Sequence, residues 1–292
     1  MNPTPLVSVH MITYNHAKFI RQAIEGALNQ NTSFPFEIVI GEDCSTDGTK
    51  EIVHDYQQRY PEIINITTSK KNVGVNANFI RTLNACKGKY VALCEGDDYW
   101  TDPQKLQKQV DFLENNPDFV ICCHDVKVIY ENVEEIWPFS TSNLNNIFSF
   151  NDVLKRHFIP TNSLVFKNGI VKKYPVDISG IISFDILHEL LLTLNGRGYY
   201  FFEQMAVKRK HENGITQKIK RKKQDIILQK IKIYKGLLEF AHGTNRVLVR
   251  GALGFYYYRY FKILKKTNQQ KAIMALLNSI ILLPYIIYYK NK

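Results

Sequence analysis

The chain is predicted to be an α/β protein: a mostly parallel sheet flanked by helices, with a C-terminal helical extension that is basic and aromatic. Three observations carry this. Short β-branched apolar runs alternate with segments of helical periodicity through the first hundred residues, the pattern of strand–helix–strand units. Polar and acidic residues follow each run directly, at the edge where open α/β sheets bind ligands. The charge is partitioned, with 20 Lys and Arg against three acids in residues 208–292, and 18 against 24 in residues 1–207.

Leu6 to Tyr14 is β-branched and mostly apolar and is predicted to be a buried strand. Residues 16–30 place Phe19, Ile20, Ala23, Ile24, Ala27 and Leu28 at helical spacing. Phe36 to Gly41 is a second strand, and Ser45, Thr46 and Asp47 can cap a helix running to about Tyr60. Ile63 to Thr68 is a third strand, Asn76 to Ala85 a helix and Tyr90 to Cys94 a fourth strand. The polar groups beyond these strands are Thr13-Tyr14-Asn15, then Glu42-Asp43 with Ser45 and Asp47, then Asn72 and Gly74, then Glu95-Gly96-Asp97-Asp98.

With 45% hydrophobic residues in 292, a core can form, and whole-chain disorder or coiled coil is excluded. Five cysteines without a C-x-x-C pair argue for reduced, buried thiols. The opening MNPTPLVSVHMITYN has neither a basic n-region nor a small-residue cleavage site, which predicts a cytoplasmic location. No G-x-x-x-x-G-K-[ST], G-x-G-x-x-G, G-x-S-x-G or H-E-x-x-H occurs.

Adjacent carboxylates at a strand end repel unless a proton or cation is shared. Asp97 and Asp98 are therefore candidates for holding Mn²⁺ or Mg²⁺, which favour hard oxygen ligands and phosphate. A pair of solvated turn aspartates is the plain alternative. Asp43 can accept a hydrogen bond from a base or ribose, or be an ordinary turn residue. Arg209, Lys210 and His211 can meet a phosphate or metal.

Taken in order, VSVHMITYN, EIVIGEDCSTDGT, NVGVNANF, GKYVALCEGDDYW, FDILHELLLTLNGRGYY and VKRKHENG make the chain resemble the family 2 glycosyltransferases of the Rossmann-like GT-A fold, over roughly residues 5–215. The resemblance implies a catalytic domain over 1–215 and a separate segment over 216–292. It implies an inverting, metal-dependent transfer from a nucleotide-sugar donor, with UDP favoured, to a hydroxyl of a glycan or lipid-linked acceptor in cell-surface polysaccharide synthesis. Thr13, Tyr14 and Asn15 match the first nucleotide-contacting loop. Asp43 matches the acid that bonds the nucleobase, with Asp47 in the same turn, and Asn72 and Gly74 match the segment beneath the nucleotide. Asp98 is implied as the metal ligand, with Asp97 toward the ribose or sugar and Trp100 bordering the sugar. Asp185 aligns with the catalytic base, although Phe184 stands where the family has Gly and Asp177 is the nearest rival. Arg209 and His211 match the segment that closes over the diphosphate or metal.

Residues 216–240 are basic with apolar positions at helical spacing, and 272–289 carry no charge between Lys271 and Lys290. A membrane-spanning helix needs about 20 apolar residues. Asn278 and Pro284 weaken a spanning reading, and the cations and aromatics of the segment favour interfacial association with an anionic membrane, at the inner face of the cell membrane. Packing on the catalytic sheet is the alternative, and no nucleic-acid-binding motif accompanies the charge. Two other function classes stay open at this point. A nucleotidyltransferase would want a Gly- and Lys-rich first loop, and a non-catalytic membrane- or polyanion-binding module would bind no donor.

Overall fold

The computed structural model describes residues 4–130, 133–138, 145–212, 214, 223–265 and 267–291. They fall into two compact units. The first combines Met1–Phe148, Phe158–Ile170 and Gly196–Gly214. The second combines Ser149–His157, Val171–Asn195 and Ile215–Lys292. The sequence boundary at 215 is thus one of several crossings, because two internal segments group with the C-terminal helices.

The first unit is built on β1 (Val7–Thr13), β2 (Phe36–Glu42), β3 (Ile64–Thr68), β4 (Tyr90–Leu93), β5 (Tyr99–Trp100), β6 (Phe119–Tyr130), β7 (Val133–Pro138), β8 (Ile147–Phe148), β9 (Val165–Lys167) and β10 (Arg197–Lys210). They form one sheet in the order β3-β2-β1-β4-β9-β6-β10-β5, with β7 on β6 and β8 on β10. β1 to β4 pair in parallel, and β6 pairs in parallel with β10. β9 runs antiparallel between β4 and β6, and β5 antiparallel on β10, so the sheet is mixed. The α/β fold class holds, and the four predicted strands fall within one or two residues of their expected bounds.

The helices α1 (Ile20–Leu28), α2 (Thr49–Arg59), α3 (Val75–Ala85) and α4 (Lys105–Asn115) flank this sheet. Helix α1 starts at Ile20, not His16, because residues 16–19 form the turn that leads in from β1. β1 and β2 are buried almost throughout, as strands covered on both faces must be. Helix α3 lies tight on β2: a Cβ at Gly41 would strike the Thr82 hydroxyl, and Asn78 Nδ2 donates to the Gly41 carbonyl at 2.8 Å. Only Gly allows that approach.

His10 on β1 is buried, and its Nε2–H donates to the Phe79 carbonyl at 3.0 Å. Burial lowers its pKa from 6.5 to about 4. The unfolded chain therefore binds a proton that the folded chain refuses between those two values. Stability is complete above pH 6.5 and falls as pH drops through the window, by about 3 kcal/mol at pH 4 from this group. Urea midpoints at pH 7 and pH 4.5 should differ accordingly; equal midpoints would contradict the buried neutral imidazole.

The second unit contains α5 (Phe150–Lys155), α6 (Phe184–Thr193), α7 (Lys223–Leu237), α8 (Gly243–Leu264), α9 (Gln269–Ile281) and α10 (Leu283–Asn291). Its core includes Leu187, Leu190, Ile231, Leu237, Val249 and Leu253. Gly251 and Gly254 let α8 approach α10 and its lead-in: a Cβ at either position would collide with Tyr285 or Leu282. The uncharged stretch predicted over 272–289 is two helices broken at Leu282, with Pro284 in the first turn of the second. Among the described residues no single helix is long and apolar enough to cross a membrane, although α9 and α10 together pass by length and composition with a 65° bend. Residues 216–222 of the predicted basic helix lie outside the described residues.

Candidate active site

The loops after β1, β2 and β4 meet the end of β10, as the polar edge of the sequence predicted. After β1, Asn15 adopts a left-handed backbone (φ 56°) that Asn tolerates. Its Oδ1 accepts the Thr46 N–H at 2.9 Å, and its own N–H donates to Ser45 Oγ at 3.0 Å. Tyr14 is exposed beside it, and Thr13 is buried with its Oγ1 lacking a hydrogen-bond partner. Asp47 ties the loops together: Oδ2 accepts the Ala17 N–H and Oδ1 accepts from the Thr49 N–H and hydroxyl. Desolvation would raise Asp47, but these donors outweigh it and hold its carboxyl below the usual range.

Asp43 is buried, and both its carboxylate oxygens are engaged. Oδ1 accepts the Val73 N–H and Oδ2 the Gly74 N–H, each at 3.0 Å. Asn72 Nδ2 donates to the Asp43 carbonyl at 3.3 Å. Gly74, at φ 87°, leads into α3. Asp43 thus fixes the loop that carries Asn72 and Gly74. Asp43→Asn turns one acceptor into a donor facing a backbone N–H. It should lower stability by about 1–3 kcal/mol; calorimetry with an unchanged melting point would contradict this.

Two further residues complete this corner: Glu42, which belongs to the predicted polar edge, and Arg81, which sequence reasoning missed. Glu42, at the end of β2, accepts the Cys44 and Ser45 N–H groups at 3.1 and 2.6 Å. Arg81 on α3 donates through Nη2 to the Glu42 carbonyl and to Asn78 Oδ1, and lies 3.7 Å from Asp43 Oδ1. Its Nε and Nη1 are buried without a hydrogen-bond partner. The i, i+3 spacing of Asn78 and Arg81 on a helix packed against β2 was the available signal.

After β4 the two aspartates diverge. Asp98 is buried, and its Oδ1 accepts the Arg209 backbone N–H at 2.7 Å. Burial, reinforced by Asp97, pushes its carboxyl well up. Asp97 faces the histidines instead: Oδ2 lies 3.1 Å from His211 Nε2 and 3.9 Å from His16 Nε2. Its desolvation is outweighed by the His211 hydrogen bond and the charges of His16 and His211, so it stays ionised more readily than usual. His16, His211 and Asp97 each offer a ligand atom, all within 4.8 Å of one another. His16 is held through its backbone N–H to Thr49 Oγ1, and Phe19 packs on the His211 ring at 4.7 Å. The ligand role that the resemblance gave to Asp98 does not match this placement, because the Arg209 N–H turns Asp98 inward and leaves Asp97 among the imidazoles.

Arg209 is clamped in place. Nη1 donates to the Asp97 carbonyl at 2.9 Å, Nη2 donates to Gln22 Oε1, and the guanidinium lies 4.4 Å over the Tyr99 ring. Trp100, expected to border the sugar, is a core residue: it is buried in β5, and its Nε1–H donates to the Asn162 carbonyl at 2.8 Å. The short strand β5 pairs with β10 and draws the indole inward.

Asp185 lies in the second unit, in the first turn of α6, with His157 Nε2 at 3.8 Å from its Oδ2. Asp177, its rival, is exposed and spends its carboxylate on the Ser179 N–H and hydroxyl.

Chemically, the first unit offers one carboxylate and two imidazoles converging at a sheet edge, with buried guanidinium donors beside Asp43. A mixed nitrogen and oxygen donor set of this kind could hold a divalent transition-metal ion. The chain matches the Glycosyl transferase family 2 profile over residues 8–174. It is 39% identical over 209 residues to the Mycobacterium tuberculosis protein Rv1520, covering 72% of this chain and spanning only 60% of that relative. Its fold resembles S. aureus TarS 1-349 in a complex with UDP-GlcNAc, with a TM-score of 0.70 at 19% identity over 94% of this chain and 81% of that one. It also resembles the Pyrobaculum calidifontis mannosyltransferase PcManGT in complex with GDP-Man and Mn²⁺, with a TM-score of 0.55 at 13% identity over 99% and 84%. The GT-A architecture expected from the motifs is therefore present, and the chain belongs to glycosyl transferase family 2.

Proposed function

We propose that this glycosyltransferase moves a sugar, with inversion, from a UDP-sugar to a hydroxyl of a glycan or lipid-linked acceptor in cell-surface polysaccharide synthesis. The observation that carries the donor assignment is the convergence of Asp97, His16 and His211 at one sheet edge, together with the buried Asp43 and its half-buried neighbour Arg81 after β2. A divalent cation held by Asp97, His211 and His16 would neutralise charge on the departing nucleoside diphosphate. Asp43 keeps second carboxylate lone pairs that suit a uracil ring N–H, with the Arg81 guanidinium 3.7 Å from its Oδ1. Arg209 adds positive charge beside Asp97.

Asp185 is the general base in this reading. Its carboxylate takes the acceptor hydroxyl proton as that oxygen bonds to the anomeric carbon and the carbon–oxygen bond to the diphosphate breaks. Attack from the face opposite the leaving group inverts the centre. Fixing both partners removes much of the entropic barrier.

Thermal unfolding with UDP, GDP and dTDP, each with and without Mn²⁺, tests the donor. UDP with Mn²⁺ at 100 times its dissociation constant should add about 2.7 kcal/mol. An equal response to all three nucleotides, or none to Mn²⁺, would contradict the donor and metal assignments.

We also propose that the C-terminal helices rest on an anionic membrane at the cytoplasmic face. Ile273, Leu277, Ile280 and Ile281 on α9 are exposed, with Ile281 at 72%, next to Lys271. An exposed apolar stripe beside lysines suits acyl chains and acidic headgroups. Phosphatidylglycerol vesicles should sediment the protein at low salt and phosphatidylcholine vesicles should not, and Leu277→Asp with Ile281→Asp should abolish the difference. Equal sedimentation by both lipids, or none by either, would sink the idea.

A further inference from the structure

Helix α6 carries a second carboxylate on the face of Asp185. Glu189 is four residues on, so the two acids lie on one side of the helix, where like charges repel. Glu189 is buried, and neither of its oxygens has a hydrogen-bond partner. Burial pushes its carboxyl up, and the charges of His157 and Lys230 pull it back. A buried carboxylate needs compensation, and an imidazole stands between the acids. His157 Nε2 is 3.4 Å from Glu189 Oε1 and 3.8 Å from Asp185 Oδ2. The imidazole follows α5, whose start is fixed by a reciprocal Ser149–Asp152 capping box. Lys230 on α7 is the other charge near both acids, and burial holds it below the usual range for a lysine.

We propose that His157, anchored on the buried Glu189, is a positioning residue for Asp185: it shares a positive charge between the two acids and holds the Asp185 carboxylate ionised and oriented. The proposal rests on the reading of Asp185 as the base. Two carboxylates favour the imidazolium, and the imidazolium favours ionised Asp185. Lys230 is the second basic group near both acids.

The test compares the pH profile of kcat for the wild type, His157→Gln, Glu189→Gln and His157→Lys, with NMR titration of the His157 ring. His157→Gln should raise the acid limb by about one pH unit, roughly a tenfold loss of kcat on that limb, with donor KM and the alkaline plateau unchanged. Glu189→Gln should move the limb the same way, and His157→Lys should restore it. The His157 imidazole should titrate lower in both Glu189→Gln and Asp185→Asn. If Glu189→Gln misfolds, His157→Gln carries the test alone, since that side chain is 31% exposed. Full turnover in Asp185→Asn would end the base assignment itself. Loss of turnover in Asp185→Asn together with an unmoved acid limb in His157→Gln would overturn the proposal alone, as would a His157 titration unaffected by either acid.

Discussion

Asp185→Asn should lower kcat by about 10²- to 10⁴-fold, the range for losing a positioned general base. The amide keeps the shape of the carboxylate but cannot take the acceptor proton. Asp185 is on α6 in the helical unit, whereas the residues proposed to hold the nucleotide are in the sheet unit. Nucleotide binding should therefore stay within about twofold of the wild type, a free-energy change well below 1 kcal/mol. The two effects separate cleanly in calorimetry and single-turnover assays. Turnover near the wild-type rate would remove Asp185 from the chemistry and would not promote Asp177, whose carboxylate is already engaged by Ser179.

Asp97→Asn should be the more severe change for donor use. The substitution removes the one carboxylate among His16, Asp97 and His211. Losing several kcal/mol of diphosphate stabilisation corresponds to a fall of about 10³-fold in kcat/KM at 1.36 kcal/mol per decade. The Mn²⁺-dependent rise in melting temperature with UDP should vanish as well. The protein without nucleotide should melt within about 5 °C of the wild type, because Asp97 makes its side-chain contacts with histidines at the rim and not with the core. Retention of the Mn²⁺ response would place the cation elsewhere.

Much of this arrangement was legible in the residues. β1, β2 and β4 were readable because strands buried on both faces must be continuous apolar runs, and Val7–Thr13 and Phe36–Glu42 are such runs. The acidic edge followed from where those runs stop. The division of labour between Asp97 and Asp98 was not legible, because it depends on a backbone N–H of Arg209, 111 residues downstream. Trp100 was misread for a similar reason: its burial comes from pairing with Ala206 on β10. Arg81 carries only its i, i+3 spacing from Asn78 as a local mark, and its role emerges when α3 packs on β2. The second unit was hidden by its chain path, since Ser149–His157 and Val171–Asn195 join helices that begin after residue 215.

The 114-residue separation between Asp97 and His211 has a consequence for biogenesis. On a translating ribosome the cluster stays incomplete until the last strand of the sheet has left the exit tunnel. Closing so long a loop is slow, so nascent chains released before that point should neither capture manganese nor retain nucleotide. Donor capture then reports that synthesis of the sheet has finished.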